Sequence, residues 1–175
     1  EGSGIVVLED YDLAKKRKAK IYAEIIGFNS FGNGSHVSES SRQAIASCLN
    51  ETLKRAKLVP CDIDYINAHA TATIQGDQEE AAAIREIFGQ TVPVSSLKGN
   101  IGHTLGASGA IELIASLIIM EKGVIYPTLN LKEPAKDCHG INHVMQPLAK
   151  KINILLKNCF AFGGINASLA CKKEA

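Results

Sequence analysis

Two histidines sit where a strand-like run gives way to a loop: His69 near the end of YINAHA and His103 after VPVSSLKGNIG. Imidazole changes charge near neutral pH, so it suits acid–base chemistry and can give or take hydrogen bonds with a substrate. Loops anchored on a rigid sheet are favoured places for such work. Taken singly, each histidine reads first as a packed, hydrogen-bonded residue. As a pair they read differently. Each lies among small or hydroxyl residues, AHATAT for His69 and GHTLGASG for His103, which let a substrate approach the backbone and leave imidazole nitrogens open to it. Lys98 precedes His103 in the same segment.

The elements that must position these side chains alternate along the chain. IVVLED is a short β-branched run that reads as a buried strand. KKRKAK reads as a solvated basic turn, a docking patch for an acidic partner being the alternative. IYAEIIGFNSFGNG reads as a second strand ending in a Gly/Asn loop, with Ser38 or Ser40 as the cap of the helix that follows. In SSRQAIASCLNETLKRAKL, Ala44, Cys48, Leu49, Leu53 and Leu58 recur at helical spacing and make one buried face. YINAHA followed by TATIQGDQEEAAAIREIFG is one strand–loop–helix unit, and VPVSS leading through LKGNIGHTLGASGA into IELIASLIIMEKG is another. That last helix is apolar on nearly every side, the pattern of a helix buried between layers. NILLKNCFAF and NASLACKK, joined at Gly163 and Gly164, read as a β-hairpin. The sum is a layered α/β domain with a mixed sheet.

Composition excludes several classes of function. Nineteen basic residues against eighteen acidic ones leave a net charge of +1, so no global field recruits nucleic acid or an anionic membrane. The longest apolar run, residues 111–120, is interrupted by Glu112 and too short to span a bilayer. Five scattered cysteines, an odd total without a C-x-x-C pair, fit reduced thiols and a cytoplasmic setting. CHGINHV, residues 138–144, lacks the spacing and the fourth ligand of a metal site, and no metal is expected.

Three ordered motifs resemble the C-terminal half of the β-ketoacyl-acyl carrier protein synthases. NAHATAT at residues 67–73 is similar to the family's N-x-H-G-T-x-T. SSLKGNIGHTLGASGAIE at residues 95–112 is similar to its S-x-K-x-x-x-G-H-x-x-G-A-A-G-x-x-E. FAFGGINASL at residues 160–169 is similar to its F-G-F-G-G-x-N-x-x-L, and YPTLNL at residues 126–131 matches a further stretch. The resemblance implies an α/β thiolase-like fold, with a mixed five-stranded sheet packed between helices and residues 1–175 forming one C-terminal domain.

It also implies a decarboxylative Claisen condensation. Malonyl thioester loses carbon dioxide and becomes an enolate, and His69 and His103 donate hydrogen bonds to its oxygen. Both must then be neutral, and the start of the long helix after His103 would help by disfavouring an imidazolium. Lys98 would polarise the His103 side, with Glu112 as its buried partner. Thr71 and Thr73 match the threonines that bind the phosphopantetheine arm of acyl carrier protein. Phe162 matches the gate of the acyl pocket and lends its backbone N–H to the acyl-enzyme carbonyl, with Gly163 and Gly164 permitting the turn. Ala70 and Ala161 stand where the family has glycine, so left-handed backbone at either would be strained.

The family's nucleophilic cysteine has no counterpart among Cys48, Cys61, Cys138, Cys159 and Cys171. EGSGIVVLED is similar to the segment that follows the nucleophile half, so that half is expected elsewhere, and the apolar helix IELIASLIIM calls for it or a dimer partner. Acyl carrier protein is the expected partner, and no resident cofactor is implied, since substrates arrive on the carrier's phosphopantetheine. A noncatalytic, chain-length-shaping or carrier-binding subunit remains the alternative, Ala70 and Ala161 being its motivation. A thiolase shares the fold, and Cys159 before the glycines imitates its second cysteine only superficially.

Overall fold

The computed structural model describes residues 1–34 and 41–174. Ser38 and Ser40 lie outside them. The cap of the following helix is Ser41, whose side chain accepts from the Ala44 N–H.

One mixed sheet organises the chain. In chain order its strands are β1 (Ala23–Gly32), β2 (Tyr65–Asn67), β3 (Pro93–Ser95), β5 (Asn142–His143), β7 (Ile154–Ala161) and β8 (Ile165–Lys173). They lie side by side as β1-β8-β7-β2-β3-β5. The β7–β8 hairpin and the β1–β8 pair are antiparallel, and β2 runs parallel to both β7 and β3. Five of these strands answer the expected five-stranded sheet. The sixth is the two-residue β5, docked parallel to β3 at the edge and too short to carry a periodic signal. A separate antiparallel pair joins β4 (Val124–Ile125) to β6 (Leu148–Ala149).

Strand alternation divides the core into two layers. On one face Ile66, Val94, Leu156 and Ala170 meet helices α2 (Arg42–Ala56) and α3 (Ile74–Phe88) through Ile45, Leu49, Leu53, Ala81, Ile84 and Phe88. On the other, Tyr65, Leu155 and Cys171 meet Ile119 and Met120 of α5 (Ser108–Lys122). Ala44, Cys48, Leu49 and Leu53 form the buried face expected of α2, while Leu58 falls just beyond the helix end. Gly27 brings β1 and α2 into close approach: a Cβ there would lie 2.7 Å from the Ala56 backbone nitrogen. Gly27→Ala is therefore expected to push α2 off the sheet and lower stability by about 1–3 kcal/mol, read as a lower urea midpoint; an unchanged midpoint would show that this approach is not tight.

Two expectations change. IVVLED is not a strand: residues 1–10 run as irregular chain against α5, with Gly4 packed on Ala110 and with Ile5, Val7 and Leu8 exposed. The run packs along α5, against Ala110 and Ile111, and does not extend the sheet from the outer edge of β1, which pairs with β8 alone. Lys15 and Lys16 belong to α1 (Tyr11–Lys16), and the basic cluster continues as a solvated turn. Three of its cations are paired, Lys15 with Glu174, Arg17 with Glu9 and Lys20 with Glu121.

The long apolar helix α5 is covered by the sheet on one side only. Its buried stripe is Ser108, Glu112, Ser116, Ile119 and Met120, while Ile118 is exposed and Ile111, Ile114 and Leu117 are half-buried. Among the described residues no helix is long and apolar enough to cross a membrane.

Candidate active site

His69 follows β2 by two residues, and a buried carboxylate fixes its backbone. Glu80 of α3 accepts the His69 N–H at 2.9 Å and the Ala70 N–H at 2.8 Å, while Asn158 of β7 donates to it at 3.1 Å. The Ala70 carbonyl accepts from the Ser96 hydroxyl, which ties the same loop to the end of β3. His103 arrives from the other side. After β3 the chain makes the short helix α4 (Lys98–Ile101), turns at Gly102 with φ +77°, and then presents the second imidazole. The two ring centroids are 5.6 Å apart and nearly perpendicular, and Phe160 packs edge-on to His69 at 5.9 Å.

The tautomer of His103 follows from its neighbours. Its Nδ1 accepts the Leu105 backbone N–H at 3.3 Å and lies 2.9 Å from the Ser108 hydroxyl. A nitrogen that accepts a backbone N–H carries no proton, so the ring proton sits on Nε2 and is free to be donated. Desolvation lowers both imidazoles and the charge of Lys98 adds to it: half-buried His69 is pushed down to about 3, and the more exposed His103 is lowered as well. The expected helix-end effect is not the main cause: the 3-10 turn Leu105–Ala107 separates His103 from the start of α5.

Protonation of His69 is thus disfavoured by folding. The unfolded chain takes up that proton near pH 6.5 and the folded chain only near 3, so its contribution to stability is full above 6.5 and falls as pH drops through that window. Asp77, raised to about 6 by burial and by nearby Glu80, acts with the opposite sign between its ordinary 3.8 and 6. Ring-nitrogen NMR separates them: His69 is expected to keep the neutral pattern at about pH 5, and proton uptake near its ordinary value would contradict the burial argument.

Lys98 and Glu112 meet as the motifs imply, Nζ to Oε1 at 2.6 Å, with both side chains buried. A third member was not foreseen: Lys157 Nζ lies 2.6 Å from Glu112 Oε2. Glu80 and Lys157 both left a signal in the sequence. Glu80 falls on the buried stripe of α3 with Ile84 and Phe88 at four-residue spacing, and Lys157 interrupts the apolar run ILLKNCF on the same strand face as Leu155.

The other expected residues lie on the loop after β2 and at the β7–β8 turn. Thr71 and Thr73 share a hydrogen bond at 3.0 Å ahead of α3. Phe162, 72% exposed, tops the hairpin turn, where Gly163 and Gly164 both have positive φ. Neither Ala70 nor Ala161 is strained: Ala161 is extended at φ −120°, and Ala70 is not among the positive-φ residues, so both methyls are tolerated. The left-handed residue of the first loop is Ala72, at φ +64°.

None of the five thiols is set up as a nucleophile. Burial raises Cys48 to about 11 and Cys171 to about 12, and it also raises Cys138. Cys61 lies exposed on a 3-10 turn, and Cys159 lies in the β7–β8 ladder opposite Ala167. In CHGINHV, His139 and His143 each have Nε2 on a backbone carbonyl, of Pro134 and Cys138. Among the described residues no three His, Cys, Asp or Glu side chains converge as a metal site.

The mixed sheet between helical layers, with two strand-end imidazoles over a buried ion cluster, defines a domain of the thiolase-like class. The family model for the β-ketoacyl synthase C-terminal domain matches residues 22–132, and the chain belongs to that family. It is 41% identical to 3-oxoacyl-[acyl-carrier-protein] synthase 2 of Rhizobium meliloti over 99% of its own length and 42% of that protein's. A crystal structure of a β-ketoacyl synthase from Burkholderia phymatum superposes with a TM-score of 0.93 at 39% identity, over 95% of this chain and 41% of that one. The ketosynthase complex AntDE:AntF, which holds a type II polyketide acyl-carrier protein, superposes with a TM-score of 0.89 at 34% identity, over 95% of this chain and 42% of that one. The chain thus spans about 42% of the length of the relatives it matches.

Proposed function

We propose that this chain supplies the histidine half of a β-ketoacyl-acyl carrier protein synthase, an acyltransferase that joins malonyl-carrier to an acyl thioester by decarboxylative Claisen condensation. The observation that carries the reading is the imidazole pair: two rings 5.6 Å apart, both driven to the neutral form, one with its donor nitrogen set by a backbone N–H.

When the malonyl C–C bond breaks, carbon dioxide departs and its electron pair becomes an enolate with charge on the thioester oxygen. Two neutral N–H donors aimed at that oxygen stabilise charge that exists only as the barrier is crossed. His103 donates from Nε2. For His69 to be the second donor, its proton must sit on a ring nitrogen that faces the substrate; its Nδ1 is buried without a partner. The enolate carbon then attacks the acyl thioester carbonyl and the C–S bond to the enzyme breaks. That sulfur is not among this chain's five thiols, so the cysteine half belongs to polypeptide beyond these residues, on the same chain or another. Its docking face is the half-buried apolar side of α5.

Lys98, paired with Glu112, adds positive potential beside His103. The hydroxyls of Thr71 and Thr73 face the amides of the phosphopantetheine arm, so acyl carrier protein is the partner and no resident cofactor is required. The backbone N–H of Phe162 supports the acyl carbonyl, its ring gates the acyl pocket, and Gly163 and Gly164 hold the turn. The scattered free thiols support a reducing compartment, which we read as the cytoplasm.

The test is the intact mass of what copurifies with the chain, followed by carbon dioxide release from malonyl-carrier by that material. A companion polypeptide and release that depends on His103 support the enzyme. No release with the companion present makes this chain a noncatalytic subunit.

A further inference from the structure

Glu112 is fully buried on α5, and one cation is enough to balance it. Lys98 does so from α4 at 2.6 Å. Lys157 is nevertheless buried as well, at 4% exposure, with its ammonium 2.6 Å from the second Glu112 oxygen and donating also to the Asn158 carbonyl. Burying a second ammonium with no carboxylate left to balance it is unfavourable. A strand residue sharing its face with Leu155 could have been apolar, as Leu155 is.

The surplus charge has a direction. The charged and titratable groups around the imidazoles are Lys98 of α4, Glu112 of α5, Lys157 of β7, and Asp77 and Glu80 of α3. Glu80 is committed to the backbone of His69 and Ala70 and to Asn158. Glu112 is shared between two lysines, so the trio carries one positive charge more than it neutralises, and that charge bears on both rings.

We propose that Lys157 is a positioning residue of this site: from β7 it grips the free oxygen of Glu112, clamps that carboxylate between two ammonium groups, and turns the surplus charge toward His69 and His103. The clamp holds Lys98 through Glu112, and the charge adds to desolvation in keeping both imidazoles neutral. This deepens the enolate-donor reading and rests on it.

Two variants test it. Lys157→Met leaves Lys98 and Glu112 as a balanced pair. Lys157→Gln removes the charge but keeps a polar N–H donor, on a side chain one atom shorter. Ring-nitrogen NMR of the purified protein is expected to show both His69 and His103 taking up their protons at a higher pH in both variants than in the parent. The rate of carbon dioxide release should then fall away at a correspondingly higher pH on the acid side. A folded variant with unchanged histidine titration overturns the proposal, as does failure of both variants to fold, which would make Lys157 a residue of the fold alone. If the unaltered protein with its companion half releases no carbon dioxide, the enzyme reading fails, while the titration still decides what the charge of Lys157 does.

Discussion

His103→Ala is expected to slow carbon dioxide release from malonyl-carrier by about a hundredfold or more while leaving thermal stability nearly unchanged. The two halves of that statement have separate causes. An oxyanion donor removed from an organised site typically costs two to three powers of ten. His103 is an exposed residue overall, and its ring is held by few contacts, among them the Leu105 N–H, the Ser108 hydroxyl and the edge of His69. Surface substitutions with so few contacts usually change stability by less than about 0.5 kcal/mol. His103→Asn, whose amide can still donate, should recover part of the rate. A collapsed melting temperature in His103→Ala would assign the residue to the fold; an unchanged rate in a folded protein would remove it from the reaction.

Much of this arrangement was legible in the residues. His69, Lys98, His103 and Glu112 are brought together from β2, α4, the segment after Gly102, and α5, although 43 residues separate the first from the last. Motif order carried that information, because each motif sits where a strand or its loop ends. Glu80 and Lys157 were missed for a common reason: a charged residue in a helix or strand reads as solvent-facing, and only its place on the apolar stripe says otherwise. The first ten residues were misread because β-branched composition describes what a strand tolerates, not which surface the segment packs on, here the side of α5. The two glycine positions filled by Ala70 and Ala161 looked strained only on the assumption of left-handed backbone, which the loop instead places at Ala72.

Glu112→Leu is expected to be the most destabilising single change in the molecule. It leaves Lys98 and Lys157 buried against one another with no carboxylate between them, and removing one partner from a buried ion pair typically costs about 3–5 kcal/mol. Set against a total of about 5–15 kcal/mol for a domain, that is enough to unfold much of the protein at moderate urea. Lys98, whose charge burial already disfavours, can relieve part of the repulsion by losing its proton, so the stability of the variant should rise with pH on the alkaline side. A urea midpoint within error of the parent would show that the carboxylate does not balance the two lysines. The triple replacement Lys98→Met, Glu112→Leu, Lys157→Met makes the sharper comparison. It removes all three charges together, which for buried ion clusters is often neutral or stabilising. A triple variant as stable as the parent but slow in carbon dioxide release would mean that the trio is held in the core against its own desolvation for the field it sets at the imidazoles. A triple variant that unfolds would place the trio in the fold first and the chemistry second.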